Sequence, residues 1–239
     1  MALLNRPEKR NALTPDMLAN IVSSLEMVRQ ETRRTGAVVL AGEGPVFCAG
    51  FDLSLCRDDQ NMTASLLARL SGAVRSLRRM ARPVVVAAHG AAIAGGCALL
   101  SGGDVVVTDR HAKLGYPVVK LGVSPSVTAP ALGGAVQDSA VRRLLLDPRL
   151  IRGEEAVRIG LAHELVNEPA DVRSRAIEIA SALACKPAHA MGVTKRWLNE
   201  IEGVDRDDRF DSALAASVAL AGGAEECERL QSLWKKDGP

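Results

Sequence analysis

The sequence predicts an α/β protein with mostly parallel strand pairing and a purely helical final third. Three observations carry this. Short apolar, largely β-branched runs at 37–41, 83–88 and 105–108 are separated by stretches of helical periodicity. Glycines sit at the joints: Gly42 and Gly44, Gly95 and Gly96, Gly102 and Gly103. From about residue 171 onward the pattern is helical throughout. Strands that alternate with helices need crossover connections, and these favour parallel neighbours.

Taken in order, Thr14 reads as a helix N-cap with Pro15 at the first helical position. Met17, Leu18, Ile21, Val22, Leu25 and Val28 follow at helical spacing. The strand at 37–41 closes on Gly42 and Gly44, and residues 63–80 return to helical spacing. The run from Pro83 to Ala88 is the second strand. Gly95 and Gly96 open a short apolar helix that Gly102 and Gly103 end, and 105–108 is the third strand. A short helix over 154–161 ends at Gly160, and Leu165 and Val166 make one more strand. Helices are expected at 172–183, 188–198, 209–219 and 224–234. This divides the chain into an α/β core, 1–185, and a helical region, 186–239, whose surplus of apolar positions suits contact with another subunit.

Composition narrows the function. The 239 residues are 47% hydrophobic and 24% charged, enough for one substantial core. A net charge of +2 and only 3% aromatics argue against nucleic acid as partner. The longest apolar stretch, 83–108, is interrupted by His89, Asp104 and several glycines, which argues against a membrane span. Five cysteines with no CxxC spacing fit reduced thiols in a cytoplasmic protein better than disulfides or a metal site. The N-terminus lacks the order of a signal peptide.

Two segments carry chemistry. Val46-Phe-Cys-Ala-Gly-Phe-Asp-Leu53 and His89-Gly-Ala-Ala-Ile-Ala-Gly-Gly-Cys-Ala-Leu99 are each an apolar run ending in a glycine-bearing turn. Side by side, two such turns can aim two backbone N–H groups at one oxygen, as an enolate or other oxyanion requires. These segments, together with Leu4-Asn-Arg-Pro-Glu-Lys-Arg-Asn-Ala-Leu13, Gly115-Tyr-Pro-Val-Val-Lys-Leu-Gly122 and Glu154-Glu-Ala-Val-Arg-Ile-Gly-Leu-Ala162, resemble in order the motifs of the crotonase superfamily, the enoyl-CoA hydratase/isomerase family. The resemblance spans nearly the whole chain. It implies a spiral of ββα units with a C-terminal helical region, a homotrimer or hexamer, and acyl or enoyl thioesters of coenzyme A as substrates in fatty acid metabolism. No separate cofactor and no metal are implied; coenzyme A is part of the substrate. Against the family the N-terminus is short, which leaves room for a missing first strand.

By resemblance, the N–H groups of Phe51 and Gly95 form the oxyanion hole. The same comparison exposes two vacancies. Family hydratases place one glutamate after the Gly-Gly-Cys turn and another after the Gly-x-Pro; here these positions are Ala98 and Val118. Neither side chain moves a proton. Tyr116, Lys120, Ser124 and Ser126 lie near the second vacancy in sequence, and Tyr116 is the candidate acid–base group among them. Asp138 and Asp147 are further carboxylates that another layer can bring in, while His89, Cys97 and Asp52 are expected to be structural. Arg6, Lys9, Arg10 and Lys236 are the candidates for the phosphates of coenzyme A. Two readings follow: an isomerase, hydratase or related lyase whose acid–base group lies elsewhere, or a non-catalytic acyl-CoA binding protein derived from the family. The oxyanion turns favour the first and the missing glutamates the second.

Overall fold

The computed structural model describes residues 1–31, 36–136 and 138–236, with backbone alone at 135, 138 and 236. In chain order the elements are β1 (Ala2–Leu4), α1 (Pro15–Gln30), β2 (Val38–Gly42), α2 (Met62–Arg78), β3 (Val84–Ala88), β4 (Ala91–Ile93), α3 (Gly95–Leu100), β5 (Val105–Asp109), β6 (Lys113–Gly115), α4 (Ala129–Ala135), α5 (Asp138–Leu146), β7 (Ile151–Arg152), α6 (Gly153–Arg158), β8 (Glu164–Val166), α7 (Asp171–Ala184), α8 (Ala188–Glu202), α9 (Asp207–Val218) and α10 (Ala224–Lys236). Thr14 caps α1 through its side chain, which accepts from the Met17 N–H at 3.2 Å.

The main sheet is parallel, in the order β1-β2-β3-β5-β8. Its strands are apolar on both faces because both faces are covered. Leu40, Val86 and Val106 stand in one register row and belong to the large core that includes α1 and α2. Ala41, Ala87 and Val107 form a row on the opposite face, which packs against Val172, Ala176 and Ala180 of α7. A second sheet, β4-β6-β7, pairs β4 with β6 in parallel and β6 with β7 antiparallel.

The chain repeats one path. It runs through a strand of the main sheet, then a short strand of the second sheet, then a helical segment. β3, β4 and α3 follow this path, as do β5, β6 and the 3-10 turn at Pro117–Leu121. β2 does likewise, with Cys48 bridging Ala92 before α2 begins. These are the ββα units of the spiral.

The late helices dock on this body by different means. Arg75 of α2 and Arg79 just past its end lie 5.1 and 5.5 Å over the Phe210 ring of α9 and pair with Asp207. Lys195 of α8 reaches Asp104 at 2.6 Å. α10 lies against the 3-10 turn at Pro117–Leu121, with the Glu226 backbone close beside Gly122. Among the described residues no helix is long and apolar enough to cross a membrane, and no cluster of His, Cys, Asp or Glu suits a metal ion.

Candidate active site

The two glycine-bearing turns meet. Cys48 N–H donates to the Ala91 carbonyl at 3.0 Å, and Ile93 N–H donates back to the Cys48 carbonyl at 3.0 Å. Packing makes the contact closer than side chains allow. A Cβ on Gly96 would meet the Cys48 carbonyl oxygen at 2.6 Å, and one on Gly95 would meet the Phe51 ring at 3.0 Å. Glycine is required here because backbone packs on backbone. Between the turns, Ala94 takes φ +52 and ψ −114, a conformation alanine rarely adopts. Such strain costs of order 1–3 kcal/mol and concentrates at functional sites. Its amide is held by the Gly115 carbonyl at 2.8 Å.

The outcome is a pair of backbone N–H groups with no acceptor among the described residues. Leu13 N–H donates to the Gly50 carbonyl and Asp52 N–H to the Leu13 carbonyl, which leaves Phe51 N–H, beside Asp52, without an acceptor among the described residues. Gly95 N–H, the first of α3, likewise has no acceptor among the described residues. Both residues line one cavity of ≈ 220 Å³. Ala98, Tyr116 and Val118 line it too, so the two vacant positions and the candidate tyrosine face the space beside the two N–H groups.

Around it, the opening motif is a brace. Asn11 is fully buried; its side chain donates to the Glu43 and Val46 carbonyls at 2.7 and 2.9 Å and accepts from Arg6 N–H at 2.8 Å. Arg6 donates to Asp52 at 2.7 Å and to the Ala12 carbonyl at 3.2 Å. Burial raises the Asp52 pKa, but the hydrogen bonds from Ser54 and Arg6 outweigh it and hold the carboxyl below its usual value. Arg6 is therefore committed to shaping the first turn, whereas Lys9 and Arg10 are exposed beside it. The Lys236 side chain lies outside the described residues, as does that of Asp138. Asp147 pairs with Arg149 at 3.1 Å on a separate groove. His89 bonds the Gly44 carbonyl at 2.9 Å beneath the turn.

The nucleophile and acid candidates on and behind the cavity wall differ in readiness. Burial pushes the Cys97 thiol up to about 12, so it is no thiolate near neutral pH. Tyr116 is 1% exposed. Burial, reinforced by the Cys97 thiol, lifts its hydroxyl well above 10. The hydroxyl lies near Cys97 and Thr128 yet has no partner at hydrogen-bonding geometry among the described residues. It is a donor held in reserve and not a base.

One lining residue escaped sequence reasoning. Glu226 of α10 is 3% exposed and lines the same cavity. Its Oε2 accepts from the Gly222 N–H at 2.6 Å. In the sequence, Gly222-Gly223-Ala-Glu-Glu226 signals only a helix start with an acidic first turn. Nothing local announces that this turn rests on Gly122.

Comparison with known proteins adds to the geometry. A family model described as enoyl-CoA hydratase/isomerase matches residues 2–210. The chain is 30% identical over 215 residues to short-chain-enoyl-CoA hydratase of Clostridium acetobutylicum, covering 89% of this chain and 80% of that one. It is 31% identical over 215 residues to 1,2-epoxyphenylacetyl-CoA isomerase of Escherichia coli, covering 87% and 81%. Among solved structures, an enoyl-CoA hydratase/isomerase from Xanthobacter autotrophicus Py2 superposes with a TM-score of 0.87 at 24% identity, over 98% of this chain and 88% of that one.

Proposed function

Since the chain belongs to the enoyl-CoA hydratase/isomerase family, we propose that it binds an acyl- or enoyl-CoA thioester and stabilises its enolate between the N–H groups of Phe51 and Gly95. One observation carries the reading: two unused backbone donors on interlocked turns, both on the wall of one largely apolar cavity. Removal of a proton next to a thioester carbonyl leaves negative charge on its oxygen. Preorganised donors stabilise that charge without reorganising, and loss of one such donor typically costs about 10²–10³ in rate.

The cavity limits the acyl group. An aliphatic cavity of roughly 150 Å³ holds a benzene molecule, so ≈ 220 Å³ suits a short chain or a single ring. The exposed Lys9 and Arg10 supply charge for the phosphates of coenzyme A, because the Arg10 carbonyl is bonded to the Ala49 N–H at the cavity wall. All five cysteines are free, which fits a cytoplasmic, reducing setting. Hydration needs a water held between two carboxylates, and Ala98 and Val118 hold none. The reading is therefore proton transfer on a thioester enolate, as in isomerisation.

The test is spectroscopic. A butanoyl-CoA labelled with carbon-13 at its carbonyl should bind with the C=O stretch shifted to lower frequency, and added salt should weaken binding as phosphate contacts are screened. A bound thioester with an unshifted carbonyl would remove the oxyanion hole. Equal affinity for butanoyl-CoA and free butanoate would remove the coenzyme A site.

A further inference from the structure

Proton transfer needs a group that moves a proton, and the turn residues Ala98 and Val118 are not such groups. We propose that Glu226, carried by α10 to the wall of the cavity, is the catalytic base of this site; this rests on the thioester reading above. The placement is specific. Gly122 lies at the end of the same turn that carries Val118, and its amide bonds back to the Val118 and Val119 carbonyls. A Cβ on Gly122 would meet the Glu226 N at 2.9 Å and Cα at 3.1 Å. The Glu226 backbone therefore lies directly on the Val118 turn. A docking helix supplies, on the wall of the vacancy, the carboxylate that the turn lacks.

The chemistry of the side chain fits the role. Oε2 is fixed by the Gly222 N–H at 2.6 Å, while Oε1 accepts nothing from a described residue. No Lys, Arg or His pairs with Glu226 among the described residues. Buried carboxylates are rare unless paired, because desolvation is costly. A capping role for Glu226 at the start of α10 accounts for Oε2. It does not account for a second oxygen left without a partner among the described residues, on a side chain whose residue lines a largely apolar cavity with Thr63 and Thr128. One oxygen anchored and one presented is the arrangement a general base requires.

The step balances without a co-reactant. The Oε1 lone pair takes a proton from the acyl α-carbon, or from the γ-carbon of an enoyl chain. The C–H bond breaks, an O–H bond forms on Glu226, and the electron pair moves to the thioester oxygen between Phe51 and Gly95. Replacement of that proton by one from solvent before return to the same carbon gives exchange; return at the other end of the conjugated system gives isomerisation.

The experiment follows deuterium uptake at the α-carbon of phenylacetyl-CoA and butanoyl-CoA in heavy water, with dissociation constants measured in parallel. Glu226→Gln keeps an acceptor for the Gly222 N–H but cannot take a proton. We expect it to lower exchange by about 10²-fold or more while the dissociation constant stays within about threefold. Glu225→Gln, at an exposed neighbour, should match the unmodified protein. Exchange unchanged in Glu226→Gln overturns the proposal, as does an unmodified protein that binds both thioesters without exchanging them; in either case the thioester site stands. Failure to bind either thioester overturns the site and the base together. Should Glu226→Gln lose binding, Glu226→Asp decides: recovery of binding with partial exchange supports the base, and recovery of binding with none overturns it.

Discussion

Tyr116 shows how burial changes what a residue can do. It is the only tyrosine in the chain, and position next to the Val118 vacancy marks it as an acid–base candidate. In the fold its hydroxyl is buried without a partner, and its raised pKa keeps the proton on oxygen. An unsatisfied buried hydroxyl costs about 1–3 kcal/mol, so Tyr116→Phe should leave stability unchanged or raise it by about 1 kcal/mol. With Glu226 as base, α-carbon exchange in Tyr116→Phe should fall by less than about threefold, against the 10²–10⁴ typical of an acid–base group. Denaturation and deuterium uptake on the same variant check both; a large loss of exchange with stability intact would make the tyrosine the proton donor. Phe51, Gly95, Ala98 and Val118 were legible because each sits at a fixed offset within a short motif, and local sequence sets the turn. Glu226 was not, because its meaning depends on a contact between residues distant in the chain. Its own neighbourhood says only that a helix begins.

At the level of elements, legibility followed length and capping. The Thr14 cap, the 38–42, 84–88 and 105–109 strands and the late helices are all announced by periodicity or by a cap. The three strands of the second sheet, β4, β6 and β7, have two or three residues each, too few to show a period of two. Within α4, Gly133 and Gly134 break the helical pattern in the sequence. The small sheet matters nonetheless: β4 leads directly into the Ala94 turn, and β6 into the turn that bears Val118. The docking of α10 on that turn is testable without touching any chemical group. Gly122 has φ +72, and a methyl group there meets the Glu226 backbone. Gly122→Ala should destabilise the protein by about 1–3 kcal/mol. It should also lower exchange by pushing α10 away from the cavity, with thioester affinity little changed. Calorimetry and deuterium uptake measure the two effects; an unchanged melting temperature would mean that α10 does not rest on this turn.

On the scale of the whole molecule, α8 is inverted. Its buried residues are polar: Lys195 reaches Asp104 and the Arg82 carbonyl, and Asn199 donates to the Arg78 carbonyl at 3.0 Å. Its exposed residues include a run of large apolar side chains among His189, Thr194, Arg196 and Glu200. Val193, Trp197 and Ile201 lie at spacings of four, one above another, with exposures of 41%, 58% and 67%, and Leu198 adjoins them at 49%. A surface helix normally turns its apolar stripe inward, and exposed apolar patches of this kind mark interaction sites. Of the three late helices expected at subunit contacts, α9 spends its faces on α2 and α10 on the turn at Pro117–Leu121; α8 keeps its apolar face outward. The occupant that symmetry favours is a second copy, since a closed ring repeats one contact at every subunit. We therefore expect a trimer or pair of trimers joined through α8. Burying a large apolar side chain is worth about 1.5–3 kcal/mol, so three or four per protomer suffice to hold an assembly at micromolar concentration. Light scattering should give a multiple of the 25.2 kDa chain. Trp197→Glu should shift it toward monomer and leave far-ultraviolet dichroism unchanged, because that side chain is largely exposed. A protein that scatters as monomer at micromolar concentration would leave the stripe for another partner. An assembly indifferent to Trp197→Glu would place the subunit contact on a different face.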